Sequence, residues 1–595
     1  MYGLNPVGYH FTNLLVFSLC ALLSGMLVFQ LLPGEPRRSR TVAALLGTLL
    51  FVVYPLHAET TAWIVGRVDL FCTCFYLASL SLYIRFRRVG QHKLLALSLL
   101  SFSLALASKE MAVSLPLVIA GAEILLAGSS GWQKVSLKRR SLYCFSFAIL
   151  LVAFAALRTA LLGTLVGGYG AGGFREFLQS RERFFDVVSL KRILFGINSE
   201  LKVSPAFELA AYLSWLVLLL LAFIKGPLQK RHARILLFAA AWTVVSVLPA
   251  FQVWQISSNL VGSRLFFLGS AGFCIFVAVA LMPLVTPQQF DDKPRQSTRR
   301  AVSILGSAAV LALVSSWTFA LQCNLSPWIE VGKQMNVLTS RLIELVKNPQ
   351  IESVVLFGLP QDFEGASMVG NEDILHRMLT RPVSDDDYSK KISLYKDSSG
   401  LTADRVDPVA LRRAYESRKS TRWLCWSKVE KRWLDWTPPG GANSFSSKDF
   451  AMVTKNGLVD CKTIDNPRKG RVIWAKLTEP VDPFAVDIIE FRTEISDKDI
   501  EFDKKVRLIW RSASQPRNKI DYSDRVAGKL LLENDKHGRA SDSISRIAFQ
   551  PGNLRDWLLN GKIAEIGFVL PPGSYSLKLV EVKSADRKVM PESAI

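Results

Sequence analysis

Ten apolar runs fill the first half of this 595-residue sequence and constrain its fold more than any other feature. A run of about 20 apolar residues can cross a bilayer as a helix, and in lipid only a helix or a closed barrel satisfies every backbone hydrogen bond. The sequence therefore predicts a polytopic α-helical membrane bundle of about ten helices. The runs lie at roughly 11–33, 41–56, 68–86, 94–108, 111–128, 142–163, 207–224, 235–250, 265–285 and 302–321.

Basic residues fall in every second loop between these runs, which the positive-inside rule puts in the cytoplasm. We therefore assign the net charge of +22 to contacts with membrane lipid and expect no nucleic acid partner. The N-terminus, the loops with His57, Lys109 and Asn259, and everything after residue 323 are then extracytoplasmic. The long basic loop 164–205 is either an amphipathic segment on the outer surface or a pocket wall. The five cytoplasmic loops begin near Arg37, Arg87, Lys134, Lys225 and Lys293.

The sequence changes character near Cys323, beyond which charged residues and short alternating runs replace the long apolar ones. We expect a transmembrane domain over 1–322, an extracytoplasmic α/β segment over 323–420 and a β-sandwich-like domain over 421–595. The α/β segment opens with a helix at 328–347 and a buried strand at 353–360. The sandwich is predicted from strand patterns at 422–426, 432–436, 506–511, 563–569 and 575–582.

Cysteines and tryptophans in the second half leave two interpretations open. Cys425 and Cys461 would lie in an oxidising compartment, where they either form a disulfide or remain free. No CxxC motif occurs and the six histidines are scattered, so we expect no metal site. Four tryptophans at strand spacing either fill the sandwich interior or stack on sugar rings. These are Trp423, Trp426, Trp433 and Trp436.

Ionisable residues gather at the external ends of the predicted helices. Charges at such depth are costly and usually face a bundle interior or a water-filled cavity. Their mixture suits a phosphate-bearing lipid and a hydroxyl acceptor, because cations hold phosphate and a carboxylate activates a hydroxyl. They are His57, Glu59, Arg67 and Asp69 around the start of the third run, Lys109 and Glu110 between the fourth and fifth, and Arg264 at the head of the ninth.

These residues occur in motifs that resemble a known family. The motifs are Gly3-Leu-Asn5-Pro6-Val-Gly-Tyr-His10-Phe-Thr-Asn13, the block from His57 to Asp69, Ser108-Lys109-Glu110, and Ser263-Arg264 followed by Gly272-Phe-Cys. Together they resemble polyprenyl-phosphate-dependent glycosyltransferases of the GT-C superfamily over roughly residues 3–321, in particular the membrane O-mannosyltransferases that often carry tetratricopeptide repeats, with their bacterial relatives. The stretch 557–573 resembles galactose-binding-like sandwiches attached to some membrane glycosyltransferases.

The resemblance implies transfer of a sugar from a polyprenyl-phosphate donor to a hydroxyl on a protein or glycan, on the extracytoplasmic side and without a cofactor. We expect the protein in a bacterial inner membrane. The implied catalytic residues are Glu59, Asp69 and His57, the residues that bind the donor phosphate are Arg67, Lys109 and Arg264, and the supporting residues are Glu110, His10 and Asn13. Each also has a structural interpretation, as a helix cap, an ion pair within a loop or a snorkelling helix end.

Two departures from the family bear on activity. The family has an additional first helix followed by an external acidic loop that provides the presumed base, and this sequence starts just after that loop. No repeat with a period near 34 residues follows residue 323. The chain as written is then expected to be inactive unless upstream sequence exists. The alternatives are a lipid or glycan transporter and a non-catalytic membrane scaffold with a glycan-binding outer domain.

Overall fold

The computed structural model of the chain separates into two compact units. The first comprises Met1–Met335 with Asp362–Met368, and the second comprises Asn336–Gln361 with Val369–Ile595. The residues that the structure describes are 5–127, 131–163, 187–201, 203–224, 230–250, 255–285, 296–359, 362–368, 372–396, 420–427, 432–436, 441–444, 458–461, 472–486, 488–495, 506–513, 521–522, 529–531, 544–551, 555–558, 561–570 and 575–585.

Every one of the ten predicted apolar runs contains a helix. The helices are α1 (Pro6–Leu31), α2 (Arg37–Val53), α3 (Ala58–Ala62), α4 (Arg67–Val89), α5 (His92–Ser108), α6 (Leu115–Leu125), α7 (Leu137–Leu162), α8 (Val187–Phe195), α9 (Pro205–Ile224), α10 (Lys230–Val247), α11 (Phe267–Val285), α12 (Gln296–Lys347), α13 (Glu372–Met378) and α14 (Arg555–Leu558). Short 3-10 segments lie at Pro55–His57, Ile64–Gly66, Glu110–Ser114, Leu248–Ala250, Ser263–Phe266 and Ser389–Lys391.

Fewer helices are of spanning length than the predicted ten. Within the described residues, six are long and apolar enough to cross a membrane, or seven if the bent pair Arg37–Val53 and Pro55–Ala62 is one span. The difference arises partly where the chain breaks between α5 and α6: α5 has 17 residues, and the run at 111–128 begins with a 3-10 segment before the 11 residues of α6. Apolar composition alone does not show such a break, because it does not distinguish 3-10 from α-helical backbone.

Helix α7 presents an apolar surface outward. Leu142, Ile149, Val152 and Leu161 are all more than half exposed along its length. By contrast, α11 buries most of its residues against the other helices. A helix that is apolar on its outer face is typical of a bundle whose solvent is lipid, so these faces fit an integral membrane protein.

A buried ion cluster joins α4, α6 and α7 at the end of α4 remote from Arg67. The Glu123 carboxylate accepts hydrogen bonds from the side chains of Arg87 and Arg140 and, at 2.7 Å, from the Tyr83 hydroxyl. Glu123 is 3% exposed and Arg87 is 2% exposed. A charge buried to this degree needs a partner, so the cluster ties three helices together at that end of the bundle.

The single helix α12 replaces two predicted ones, at 302–321 and 328–347. Pro327 lies inside it and has no N–H to donate to the carbonyl of Cys323. The Ser326 hydroxyl donates to that carbonyl at 2.8 Å instead. Because the neighbouring serine supplies this hydrogen bond, the helix continues past the proline, and the predicted domain boundary at 322/323 falls within it.

Within the residues that the structure describes, the second unit contains three larger sheets. The first has the order β4 (Ile392–Lys396), β1 (Ser353–Leu359), β5 (Thr421–Ser427) and β6 (Arg432–Trp436), with β4 and β5 parallel to β1. The boundary predicted between 420 and 421 cuts through this sheet, because strand patterns in sequence do not identify the pairing partner. A two-stranded hairpin, β2 (Asp362–Phe363) and β3 (Ala366–Ser367), belongs to the first unit.

The other two larger sheets are antiparallel throughout the described pairings. One has the order β11 (Asp521–Tyr522), β10 (Arg507–Ser512), β14 (Ile563–Val569) and β8 (Val472–Val481). The other has the order β12 (Lys529–Leu531), β13 (Ile544–Phe549), β9 (Ile488–Ile495), β15 (Tyr575–Ala585) and β7 (Leu458–Cys461). The centre of the Phe568 ring in β14 lies 4.3 Å from the centre of the Phe491 ring in β9, so side chains of the two sheets are in contact.

Burial favours the structural interpretation of two of the four tryptophans. Trp423 is 3% exposed and Trp426 is 5% exposed, and the Trp426 and Trp433 rings meet edge to face at 5.5 Å. The side chains of Trp436, Cys425 and Cys461 lie outside the described part of the structure, so the disulfide stays a prediction.

Candidate active-site cavity

A cavity of about 1030 Å³ lies in the first unit where α3, α4, α5, α10 and the segment before α11 end or begin. Its wall combines apolar side chains with both signs of charge. Such a mixture can hold an amphipathic molecule that carries an anionic group. The ionisable residues in the wall are Glu59, Asp69, Lys109, Glu110, Arg158 and Arg264.

Glu59 fixes the segment that carries Arg264. One carboxylate oxygen, Oε2, accepts hydrogen bonds at 3.0 Å from the Ser263 hydroxyl and from the backbone N–H of Arg264. The other, Oε1, lies 3.7 Å from Nε of Arg264. Glu59 is 8% exposed, whereas the Arg264 side chain is 32% exposed. The buried acid therefore orients a cation that remains accessible from the cavity.

Trp63 supports the same guanidinium from its other side. The Arg264 guanidinium carbon lies 4.4 Å from the centre of the Trp63 ring, a cation–π geometry. The Trp63 carbonyl accepts a hydrogen bond at 3.1 Å from Asn13, which is fully buried on α1. Asn13 thus contacts the segment that carries Trp63 without lining the cavity, and its supporting role stays a prediction.

Gly262 makes the turn that brings Ser263 and Arg264 to the cavity. Its φ is +89°, a conformation that side-chain-bearing residues rarely adopt. A Cβ at this position would lie 2.2 Å from the carbonyl oxygen of Gln255. Only glycine fits here, and the 3-10 segment Ser263–Phe266 follows directly.

Lys109 and Asp69 form an ion pair in the cavity wall. The Lys109 ammonium lies 2.5 Å from Oδ1 of Asp69, across α5 and α4. The Asp69 side chain is 7% exposed and the Lys109 side chain is 16% exposed. The ion pair therefore joins two segments that are 40 residues apart in the sequence, and it does not form within one loop.

Four of the predicted site residues, Asn13 among them, lie away from the described cavity wall. His57 is 1% exposed among aromatic rings, with Nε2 2.7 Å from the Ser270 hydroxyl, so the structure does not support its predicted catalytic role. Arg67 stacks on Tyr9 and donates from Nε to the Ile64 carbonyl, rather than lining the wall as a phosphate ligand. His10 is exposed on α1.

Arg158 and Gln255 are among the polar lining residues that the sequence motifs missed. Arg158 lies near the end of α7 and Gln255 lies just before the Gly262 turn. Arg158 could have been found, because an arginine within an apolar run is costly and therefore informative. Gln255 has no comparable signal. Among the described residues, no group of three or more His, Cys, Asp or Glu could hold a metal ion.

The long apolar helices fit an integral membrane protein. No family model matches the sequence. It is 26% identical over 330 residues to protein O-mannosyl-transferase TMTC4 of Mus musculus, covering 46% of this chain and 44% of that protein. It is 28% identical over 327 residues to the Homo sapiens protein of the same name, with the same shares. The Drosophila melanogaster protein O-mannosyl-transferase Tmtc1 matches at 32% over 127 residues, covering 21% of this chain and 14% of that one.

These relatives confirm the predicted resemblance to the membrane O-mannosyltransferases. The chain spans less than half the length of the curated relatives it matches. Among solved structures, the arabinosyltransferase EmbB from Mycobacterium smegmatis covers 96% of this chain and 56% of its own at 10% identity, with a TM-score of 0.27. That score is too low to indicate a shared fold.

Proposed function

We propose that the protein is a membrane glycosyltransferase that moves a sugar from a polyprenyl-phosphate donor to a hydroxyl acceptor on the extracytoplasmic side, without a cofactor. The observation that carries the proposal is the convergence of three cations and three carboxylates on one partly apolar cavity at a helix end. Relatives named as protein O-mannosyl-transferases support mannose as the sugar and a protein as the acceptor.

Arg264 and Lys109 bind the donor phosphate in this proposal. The guanidinium of Arg264 presents several N–H donors in one plane, which suits phosphate oxygens, and Lys109 adds a second positive charge. Glu59 and Asp69 hold these two cations in place. Val65 and Leu117 line the same cavity and are more than half exposed, so they suit the first isoprene units of the lipid.

The transfer conserves atoms and charge. The acceptor oxygen attacks the anomeric carbon as its proton passes to a base in the cavity, and the bond from that carbon to the phosphate oxygen breaks. The bonding electrons leave with the polyprenyl phosphate, whose added negative charge Arg264 and Lys109 stabilise. The base then releases its proton to water.

Two observations support a cavity that faces the extracytoplasmic side: the distribution of basic loops and the contact of one hairpin. The basic loops near Arg87 and Arg140 lie at the opposite end of α4 from the cavity residue Asp69, as the positive-inside rule predicts for a cavity that faces outward. The hairpin of β2 and β3, which follows α12, contacts the loop beside the cavity. There Asn259 donates to Asp362 at 3.0 Å. This contact supports an extracytoplasmic position for residues after α12.

We also propose that the two antiparallel sheets of the second unit form a β-sandwich of the galactose-binding-like type. The contact between the Phe491 and Phe568 rings supports two facing sheets. A sandwich of this kind could present glycan or protein acceptors, which fits the partners expected from the sequence.

Transfer by the purified chain tests the function. The protein expressed from its full reading frame, in lipid nanodiscs, is given a radiolabelled polyprenyl-phosphate mannose and a mixture of serine- and threonine-containing peptides. We expect labelled peptide from the wild type and its loss in the double variant Arg264→Ala with Glu59→Ala. The matched control is Arg341→Ala with Glu344→Ala, which removes an ion pair of the same residue types on an exposed helix face. Equal transfer by both double variants would contradict the site assignment.

A further inference from the structure

One short hairpin from the chain after α12 packs within the first unit, on the loop beside the cavity. It comprises β2 and β3 and spans Asp362–Met368, whereas the residues on both sides of it belong to the second unit. The loop that it contacts, 255–262, supplies part of the cavity wall and leads directly into Ser263 and Arg264. No residue of the hairpin lines the described cavity, so the hairpin can act on the cavity only through this loop.

The tip of the hairpin is a tight turn of two residues, Glu364 and Gly365. Phe363 pairs with Ala366 across it, and φ is +49° at Glu364 and +85° at Gly365. A positive φ at both central residues is the mark of a type I′ turn, whose twist matches that of the strands it joins. The Asp362 carboxylate accepts a hydrogen bond at 3.1 Å from the backbone N–H of Gly365, which fixes the turn further.

The side chain of Asn259 holds this hairpin on the loop. Its amide nitrogen donates to Oδ1 of Asp362 at 3.0 Å and to Oε1 of Glu200 at 3.3 Å. Its amide oxygen accepts from the backbone N–H of Val261 at 3.4 Å. One side chain therefore joins the hairpin, the loop and the segment before α9.

The hairpin tip also lies directly against the backbone of the loop. A Cβ on Gly365 would lie 1.9 Å from the carbonyl oxygen of Asn259, so glycine is needed for this approach as well as for the left-handed φ. Beside it, Asn198 donates to the Glu364 carbonyl at 2.8 Å. Asn198 is 2% exposed. The tip is therefore held by a buried amide on one side and by the loop backbone on the other.

Unfavourable backbone conformations occur on both sides of this contact. Among the described residues other than glycine, φ is positive at Leu260 in the loop, at +66°, and at Glu364 in the hairpin. Such conformations persist where surrounding contacts over-determine them, and they cluster at functional sites. The Leu260 carbonyl accepts from the backbone N–H of Ser263 at 3.1 Å, so the strained residue is tied to the segment that carries Arg264.

We propose that the hairpin Asp362–Met368 is a strap that positions Arg264. By holding the loop 255–262 in its strained conformation, the strap fixes the Gly262 turn and, through it, the guanidinium that binds the donor phosphate. Asn259 and the hairpin residues that contact it are then positioning residues, because they act through the loop. The role given to Arg264 here rests on the proposed glycosyl transfer.

Gly365→Ala tests the strap, with Gly561→Ala as its matched control. The φ of Gly561 is +84°, close to that of Gly365, but a Cβ there would meet none of the described residues within 4 Å. In the protein expressed from its full reading frame, in lipid nanodiscs, we expect the backbone amides of 255–265 to exchange hydrogen at least roughly tenfold faster in Gly365→Ala than in Gly561→Ala. The kcat/KM for transfer from polyprenyl-phosphate mannose should fall by about 10²-fold in Gly365→Ala only.

Two substitutions of Asp362 separate positioning from a general loss of stability. Alanine removes the acceptor for Asn259 and Gly365, whereas asparagine keeps an oxygen that can accept these hydrogen bonds. We expect Asp362→Ala to accelerate exchange at 255–265 and to raise the dissociation constant of the donor, because Arg264 is displaced. Asp362→Asn should bring both values back towards those of the wild type. If Gly365→Ala fails to fold, as judged by its thermal unfolding midpoint, this pair decides.

The outcomes distinguish the strap from the proposed function. Equal exchange at 255–265 in Gly365→Ala and Gly561→Ala, or in Asp362→Ala and the wild type, would overturn the strap. Faster exchange with unchanged transfer would show that the hairpin holds the loop without positioning Arg264, and it would overturn the inference as well. No transfer by the wild type would overturn the proposed function, and the exchange measurement would still decide whether the hairpin holds the loop.

Discussion

Two arginines share one carboxylate at the end of the bundle opposite the cavity. Removing the charge of Glu123 would leave Arg87, which is almost fully buried, without its counter-ion. We expect Glu123→Gln to lower the free energy of unfolding by about 3–5 kcal/mol, measured by chemical or thermal unfolding in detergent.

A combined variant separates the loss of a partner from the loss of the cluster. Arg87→Met with Glu123→Leu and Arg140→Met replaces all three groups by apolar ones and should be more stable than Glu123→Gln alone. The exposed Glu344→Gln should cost less than about 1 kcal/mol. If Glu123→Gln costs no more than this control, the cluster is not a buried ion pair in the membrane-embedded protein.

Sequence could predict some of the cavity residues but not all of them. Glu59, Asp69, Lys109 and Arg264 could be found because charges beside apolar runs are costly, and the structure brings all four to one wall. The rule cannot tell which charges face the cavity and which are satisfied elsewhere. His57 meets the rule equally well, yet it packs among aromatic rings.

Among the structural elements, the turn at Gly262 sets the position of the segment before α11 relative to the cavity. Gly262→Ala forces a Cβ toward the Gln255 carbonyl and strains a left-handed backbone. We expect a loss of at least about 1 kcal/mol in the free energy of unfolding, together with reduced sugar transfer, because Ser263 and Arg264 follow directly.

Gly332→Ala is the control for this prediction. Gly332 lies within α12 and a Cβ there would meet nothing within 4 Å. Alanine should stabilise that helix by about 0.5–1 kcal/mol. Equal effects of the two substitutions in an unfolding experiment would show that the Gly262 turn is not constrained as described.

The helices could be predicted because apolar composition determines them. The sheets could not, because they depend on which strands pair with each other. Each apolar run located a helix, since long apolar stretches leave few other structures in lipid, but the runs did not show which helices are long enough to span. At Pro327 in α12, the Cys323 carbonyl accepts a hydrogen bond from the Ser326 hydroxyl in place of the missing proline N–H. The pairing of β5 with β1 brings together residues 421–425 and 353–357, and no local pattern encodes a contact so distant in sequence.

For the whole molecule, the central claim is that the charged cavity opens outward and holds a phosphate-linked sugar. The ion cluster around Glu123 and the charged cavity lie on opposite sides of the bundle, as the alternation of basic and non-basic loops predicts. The cations predicted to be cytoplasmic include Arg87 and Arg140, and the residues predicted to be external include Lys109 and Arg264. The relatives support a membrane glycosyltransferase, whereas the proposals on sidedness and donor rest on the arrangement of charge.

Cysteine labelling of Ser108→Cys, in a variant with the other cysteines replaced, tests that claim most directly. Ser108 lines the cavity, and Leu137→Cys at the exposed start of α7 is the control for the opposite side. With a membrane-impermeant thiol reagent on intact cells, we expect labelling of Ser108→Cys only, and protection of that site by polyprenyl-phosphate mannose in nanodiscs. Labelling of Ser108→Cys only after the cells are permeabilised, or at a rate that the donor does not change, would contradict the account.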